Sequence, residues 1–440
     1  MTFTHLHAAS AFSGHYGVTR PELMAEAAAA RAERALAITD RNGLYGAIKH
    51  IGACLKLGLN PIVGVSLNIL NNQDEPLARC VILAHGGDGG IGWSALCRLV
   101  SEANQVKRKE AGIRLESLAK HIDRDGLTVA TVLLGPDSNF GRATLTENRR
   151  EAAGILIQWL KALPGKGALA VEVSTHLTEP GTPYSLTQAR RMLQLADTLG
   201  IPAILTNSVR YLSPDDALTA DVLDAARHLE PLGAFEPQAN AQGWLKPADL
   251  MHKLAEEVAE ERGRAKKLLE TTELLAQKCE LNPEKDCGWG KPKTPEKALL
   301  GIDGNPFEVL WQKAHAAIDW RYPRAKEKQL LDVKHRLSKE LITINQLGFA
   351  TYFLTVADVA QMIRDMRIRI AARGSGAGSL TNYLLGISGV DPIEHDLLFE
   401  RFLSTERSSL PDIDIDVESA RRHDIYRAIF RRYGSERVTL

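Results

Sequence analysis

Three aspartates at alternate positions, Asp412, Asp414 and Asp416, stand in the run LPDIDIDVES. On an extended strand alternate residues share a face, with about 7 Å between successive side chains. The three carboxylates then point one way, and Ile413, Ile415 and Val417 point into a core. At an effective dielectric of about 20, two unit charges about 7 Å apart repel by about 2 kcal/mol, so the ladder calls for cations or arginines nearby. Two divalent ions bridged by carboxylates and phosphate oxygens are one answer; a solvated edge strand is the other. A second signal precedes it in ARGSGAGSL, where Arg373, Gly374 and Ser375 open a glycine-rich run before an apolar helical stretch. Glycines admit an anion close to the backbone, the free N–H groups of a helix start favour phosphate, and Arg373 adds a charge-assisted contact. No GK[ST] follows, so this is not a Walker A loop. Taken alone, the run also reads as a flexible loop. Glu418 shares parity with the aspartates and can reach the same ions or bind an arginine. The arginines from Arg421 to Arg437 follow on a predicted helix that can meet a DNA backbone, partner the aspartates or face solvent.

These residues need a scaffold, and 440 residues predict two or three domains. Short apolar runs at Ala35–Thr39, Pro61–Val65, Cys80–Ala84, Leu127–Leu134, Leu169–Val173 and Ala203–Thr206 read as buried strands. Amphipathic stretches at Pro21–Arg34, Thr144–Leu163 and Ser185–Leu199 lie between them. This rhythm predicts an α/β fold with a parallel sheet or barrel and helices outside. Asp40 and Asn207 fall at strand ends, where such folds place their sites. A charged helix is expected over Asp249–Cys279, a Pro- and Gly-bearing linker over Asn282–Asn305, and a long helical region over Pro306–Leu347. The boundary between domains is placed at residues 280 and 281. Fifty-four basic residues balance fifty-four acidic ones, which excludes a globally basic nucleic-acid coat. No apolar stretch of membrane-spanning length and no leader pattern is present, so a soluble, cytoplasmic chain is expected. The five cysteines form no CxxC pair and read as reduced thiols. An aromatic content of 6% argues against a stacking platform for single strands as the main device.

GFATYFLTVADV, RGSGAGSL, and VDPIEHDLLFERFLSTERSSLPDIDID with its following arginine-bearing helix resemble the palm of C-family bacterial DNA polymerases. These are the alpha subunit of DNA polymerase III and its error-prone relatives. The resemblance is dense over Gly348–Gly434. FTHLHAASAFS, LAITDRNGLYGAIK, NPIVG and IPAILTNSVRYL resemble the N-terminal polymerase-and-histidinol-phosphatase (PHP) domain of the same proteins. TDRNGLYG and PDIDIDVES have the error-prone spelling, RGSGAGS the replicative one.

The resemblance implies a PHP-type β/α barrel over 1–280, then a helical connection and a partial polymerase-beta-like palm over 281–440. It implies template-directed DNA synthesis, with primer-template DNA, dNTPs and replisome subunits as partners and two magnesium ions as cofactor. Asp414 and Asp416 map onto the ion-binding aspartates, Asp412 onto a supporting acid, and Arg373, Gly374 and Ser375 onto the triphosphate contacts. The family's third aspartate follows an inserted thumb, and this chain ends at Leu440 before it. A free chain of this extent is expected not to extend a primer. In the PHP domain the expected ligand positions fall on His7, Ala9, Asp40, Arg41, Ser66, Ser208 and Arg210, and serine and arginine replace carboxylate and imidazole poorly. A metal-free PHP domain is therefore expected, with His7 and Asp40 as remnants. A PHP-borne phosphoesterase or 3′-5′ exonuclease, and a non-catalytic DNA- or replisome-binding module, are the rival readings.

Overall fold

The computed structural model describes residues 2–105, 111–406, 410–434 and 437–438. Arg407–Ser409, part of the motif leading to the aspartates, lie outside the described residues. The chain divides into two units, Met1–Trp289 and Gly290–Leu440.

The first unit holds strands β1 (Ala35–Ile38), β2 (Asn60–Leu70), β3 (Pro76–Ala84), β4 (Gly112–Arg114), β5 (Asp123–Arg124), β6 (Leu127–Thr128), β7 (Ala130–Leu134), β8 (Leu169–Ser174) and β9 (Ala203–Thr206). Its main sheet runs β1-β2-β3-β7-β8-β9, with β4 beside the far end of β2. The sheet is mixed, which corrects the parallel expectation: β3 is antiparallel to both β2 and β7. Only about five residues join β2 to β3, too few for a crossover, so they pair as a hairpin.

The N-terminal segment closes the curl. Ala37 N–H donates to the His5 carbonyl (3.0 Å) and Thr39 N–H to that of Ala8 (2.8 Å). On the other side Ala9 N–H donates to Val209 (2.8 Å) and Val209 N–H to His7 (2.9 Å). Residues 5–9 therefore lie between β1 and the chain leaving β9. The barrel is completed by irregular backbone.

Alternation along these strands sorts the side chains. Ile38, Val63, Val65, Ile82, Val132, Val171 and Leu205 pack in the larger core with the helices. Their neighbours Ala37, Ile62, Leu83, Leu133, Ala170 and Ile204 form a second cluster, plugged by Leu6 and by Ala276 and Cys279 of the helix Arg262–Cys279. Continuing that second parity toward the strand ends gives Thr39, Arg41, Ser66, Glu172, Ser174, Thr206 and Ser208. One end of the barrel is polar by register.

Several element boundaries differ from the sequence reading. Leu127–Leu134 is interrupted at Val129, whose N–H turns to the Ile122 carbonyl and whose carbonyl accepts from His85. Asp249–Cys279 is two helices, Ala248–Ala259 and Arg262–Cys279, because Glu260 adopts φ 64° and ends the first. The helix expected from Thr144 begins at Arg149, capped by Asn148 on Glu151 N–H. The presumed linker starts late: Asp286 accepts N–H bonds from Gly87 (2.9 Å), Gly89 (3.1 Å) and Asn282 (2.8 Å), which fastens 281–289 to the first unit.

In the second unit Pro306–Leu347 is three helices, Pro306–Ala316, Ile318–Arg321 and Glu327–Gln346. With Ala350–Asp365 they enclose a core around Leu310, Val333, Leu337, Phe353, Leu380 and Phe402. The expected partial palm is one antiparallel ribbon, β10 (Ile370–Arg373) with β11 (Asp414–Val417). Ile370, Ile415 and Val417 pack with Ile363, Ile368 and Ile425. Among the described residues no helix is long and apolar enough to cross a membrane.

Glu33 offers a stability readout for the first unit. It is 5% exposed and neither carboxylate oxygen has a hydrogen-bond partner, so burial pushes its carboxyl up to about 7. Between the ordinary carboxylate value and about 7, the folded chain keeps a proton that the unfolded chain has released. Its stability contribution is complete below that window and is lost as pH rises through it. Glu33→Gln is expected to gain up to about 3 kcal/mol over wild type on going from pH 4 to pH 8. Urea denaturation at both pH values tests this; an equal difference at the two would refute it.

Candidate functional site

Two clusters hold the residues singled out in the sequence, one in each unit. In the second unit the ribbon register places Arg373 opposite Asp414 and Ala371 opposite Asp416. Arg373 Nε reaches Asp416 Oδ1 at 3.1 Å, both side chains being well exposed. The cation that the aspartate ladder calls for is thus supplied, in part, by the neighbouring strand. Asp412 precedes β11 and is exposed, so the ladder expected to carry three acids on one strand carries two, Asp414 and Asp416. Before the strand, the Tyr352 hydroxyl donates to the Pro411 carbonyl (2.8 Å) and holds the approach. Asp412 and Asp414 raise that phenol further above its ordinary value, after burial itself.

Gly374 follows Arg373 with φ 73°, a left-handed turn that a side chain would strain, and a Cβ there would lie 3.6 Å from Asp414 Oδ2. Gly374–Gly378 continues as a single 3-10 turn into the short helix Leu380–Leu384. The start of that helix is not free, which corrects the phosphate reading of its N–H groups. Glu340, 1% exposed, accepts from Leu380 N–H (2.9 Å), Thr381 N–H (2.9 Å), Thr381 Oγ1 (3.0 Å) and Ser379 Oγ (3.0 Å). Arg336 Nε adds a fifth contact at 3.2 Å, while its Nη2 donates to the carbonyls of Gly378 (2.7 Å) and Leu397 (2.6 Å). Burial pushes the Glu340 carboxyl up, and the Thr381 and Leu380 N–H groups and Arg336 pull it down. Burial is the largest of these effects and leaves the carboxyl above its ordinary value. What remains for an anion is the Arg373 side chain and the turn at Gly374 and Ser375.

Glu418 and four of the arginines that follow it find partners within the unit. Glu418 binds Arg369 (3.2 Å). Arg421 and Arg427 bind Asp424, Arg432 binds Asp358, and Arg437 binds Glu296.

In the first unit the polar end of the barrel gathers His7, Ala9, Arg41, Ser66 and Glu172, with Tyr16, Arg79 and Tyr184 beside them. His7 Nδ1 meets Glu172 Oε1 at 2.6 Å, and the same oxygen accepts from Thr206 Oγ1 at 2.6 Å. Ser208 Oγ stands 3.4 Å from His7 Nδ1. Asp40 is directed elsewhere: its buried carboxylate accepts from Ser10 N–H (2.7 Å), Ser10 Oγ and Ser13 Oγ (2.8 Å). Burial pushes it up against those bonds. Arg41 packs its guanidinium 3.3 Å from the Tyr16 ring centroid, and Arg210 packs 4.1 Å from the same ring. Arg210 also binds Asp224 (2.8 Å) and the Tyr16 carbonyl (3.1 Å). The cavity left is ≈ 20 Å³, room for about one water. Guanidinium groups cannot ligate a cation, so this donor set does not fit a multi-metal centre. Among the described residues no three His, Cys, Asp or Glu side chains are grouped as metal ligands in either unit.

Glu172 and Glu340 are the residues the sequence reading missed. Glu172 was the one acid in the apolar run LAVEVS, and Glu340 falls on the buried stripe Val333, Leu337, Leu341, Ile344 of its helix. An acid on an apolar stripe was the available signal for both.

Two family models match parts of this chain. Residues 5–176 match the PHP domain, and residues 308–440 match the bacterial DNA polymerase III alpha NTPase domain. The chain is 30% identical, over its full length, to an error-prone DNA polymerase of Symbiobacterium thermophilum, covering 39% of that protein. It is 29% identical to a DNA polymerase III subunit alpha of Halalkalibacterium halodurans, covering all of this chain and 36% of that one. The chain thus spans well under half the length of these relatives. Among solved structures, an amidohydrolase from Chromobacterium violaceum aligns with 48% of this chain and 88% of its own, at 15% identity and a TM-score of 0.34.

The Glu340 network generates its own prediction. Glu340→Ala leaves Arg336 and two helix-start amides without their buried partner, and is expected to cost about 3–5 kcal/mol. Hydrogen exchange at Leu380 and Thr381, read by mass spectrometry, should accelerate sharply. Glu340→Gln should show a smaller effect; unchanged protection in the alanine variant would contradict the assignment.

Proposed function

We propose, from the likeness of this chain over its whole length to an error-prone DNA polymerase and a DNA polymerase III subunit alpha, that its second unit carries part of a nucleotidyl-transfer site for template-directed DNA synthesis. The observation that carries the reading is the pairing of Arg373 and the Gly374 turn with Asp414 and Asp416 on one two-stranded ribbon. Acids for cations and a cation with open backbone for a triphosphate stand side by side.

The carboxylate oxygens of Asp414 and Asp416 are hard donors suited to magnesium, and Arg373 already marks Asp416 as a place where a cation is favourable. Magnesium held there would stabilise the attacking primer oxygen and the leaving pyrophosphate. The chain's own residues do the rest of the positioning. Arg373 leaves Asp416 to take a phosphate of the incoming dNTP, and the left-handed Gly374 lets the backbone come close to it. Asp414 and Asp416 are the two acids this ribbon offers a cation, and the 440-residue chain is proposed to bind nucleotide without extending a primer. The setting is the bacterial cytosol, with primer-template DNA as partner.

For the first unit we propose a structural, metal-free role. The Arg41 and Arg210 stack on Tyr16 and the His7–Glu172 contact support it over a phosphoesterase or exonuclease centre.

Calorimetric titration with dATP tests the transferase reading. Arg373→Ala is expected to weaken binding roughly ten-fold, about 1.4 kcal/mol. Asp414→Asn with Asp416→Asn should remove the gain in affinity that added magnesium gives. Affinity indifferent to all three positions would sink the proposal. Elemental analysis of the purified chain should find zinc and manganese well below one equivalent; a stoichiometric amount would revive the phosphoesterase.

A further inference from the structure

The second unit has a groove that the aspartate ribbon does not use. It has a volume of ≈ 630 Å³ and is walled by the helices Pro306–Ala316, Ile318–Arg321 and Ala350–Asp365 and by the end of Leu380–Leu384. Its charged lining is Lys313, Arg321 and Arg364 against a single carboxylate, Asp358, which is already held by Arg432 and the Tyr433 hydroxyl.

Arg321 is the unexplained group. Its guanidinium carbon lies 4.2 Å from the Trp320 ring centroid and 4.3 Å from that of Tyr383. Its Nε is buried without a hydrogen-bond partner, and it makes no ion pair among the described residues. Arg364 is tied to the Gly386 carbonyl and to Gln361 Oε1 (2.9 Å), neither of them charged. Burial first, and the Arg321 charge second, push Arg364 below its ordinary value. Asp358 is taken by Arg432, and Asp365 offsets the Arg364 charge only in part, so two guanidiniums repel across one cavity whose lining offers Arg321 no anion of its own.

Trp320 says which anion. It is 60% exposed at the rim, beside the cations. An open ring next to a phosphate-binding guanidinium suits a strand whose bases are unstacked, since every base has a π-face to lay on it. A duplex keeps those faces covered. We propose that this groove seats a single-stranded stretch of nucleic acid, with a phosphate on Arg321 and Arg364 and a base on Trp320. The low aromatic content of the chain is no obstacle, because one ring and two guanidiniums are a local seat and not a platform. The identity of the strand as DNA rests on the polymerase reading.

Anisotropy of a fluorescein-labelled oligothymidylate tests it on the 440-residue chain, with a labelled blunt duplex as control. Trp320→Ala and Arg321→Gln are each expected to weaken single-strand binding by roughly five- to ten-fold. Arg321→Gln should also flatten the log-log salt slope by about 0.7, the value for one lost phosphate on a single strand. Duplex binding and thermal midpoint should stay as in wild type. The surface variant Trp320→Ala guards against misfolding as the cause. Unchanged single-strand affinity in both variants, or no single-strand binding by the wild-type chain, overturns the proposal. Asp414→Asn should leave oligothymidylate binding intact, and Arg373→Ala should leave it intact while weakening dATP. The seat and the transferase site therefore fail independently.

Discussion

A carboxylate moved from water into a protein interior loses several kcal/mol of solvation unless donors replace the water. Glu340 meets that demand with two backbone amides, two hydroxyls and Arg336, and the geometry of the glycine turn follows from it. The amides belong to the residues just after the turn, and Arg336 grips the turn's last carbonyl at Gly378. The turn is thereby clamped to the helix Glu327–Gln346 at its far end, while its near end continues β10. Arg373 sits where it does because the chain between these two anchors has little freedom left.

The barrel end in the first unit answers a similar demand with different chemistry. Strand alternation delivers Thr39, Arg41, Ser66, Glu172, Thr206 and Ser208 to one end whatever their types, so charges there must be balanced in place. Glu172 meets His7 Nδ1 and the Thr206 hydroxyl, and Asp224 is balanced by Arg210 and Arg227. The Tyr16 ring takes up Arg41 and Arg210, a contact worth about 0.5–2 kcal/mol for each cation when desolvated. Protein cations and an aromatic ring thus pack together at this end of the barrel.

Much of this was legible. Strands buried on both faces read as short apolar runs; the short β4 and β5 were not marked, but the six strands of the path β1-β2-β3-β7-β8-β9 were marked by such runs. Their directions were not, although the short polar link Asn71–Glu75 between β2 and β3 carried that information. The alternating aspartates and the glycine run were visible as local patterns, and the structure joins them on one ribbon. Glu340 and Glu172 were hidden because their partners lie far along the chain, at Ser379–Thr381 and at His7 and Thr206. Local pattern shows an acid on an apolar stripe; only tertiary contact shows what neutralises it. Glu260 ended a helix by taking a left-handed φ of 64° that its residue type does not announce, and Asp286 extended the first unit through bonds to Gly87 and Gly89.

On the proposed nucleotidyl-transfer reading, the Arg373–Asp416 ion pair would make two bindings interdependent. An anion that draws Arg373 away uncovers Asp416, and a cation that takes Asp416 releases Arg373. By reciprocity each raises the affinity of the other by the same factor. On the proposed reading the ribbon would be a thermodynamic coupling element of modest strength, since both side chains are well exposed: at rest its opposite charges meet each other, and each ligand would release the group that the other needs.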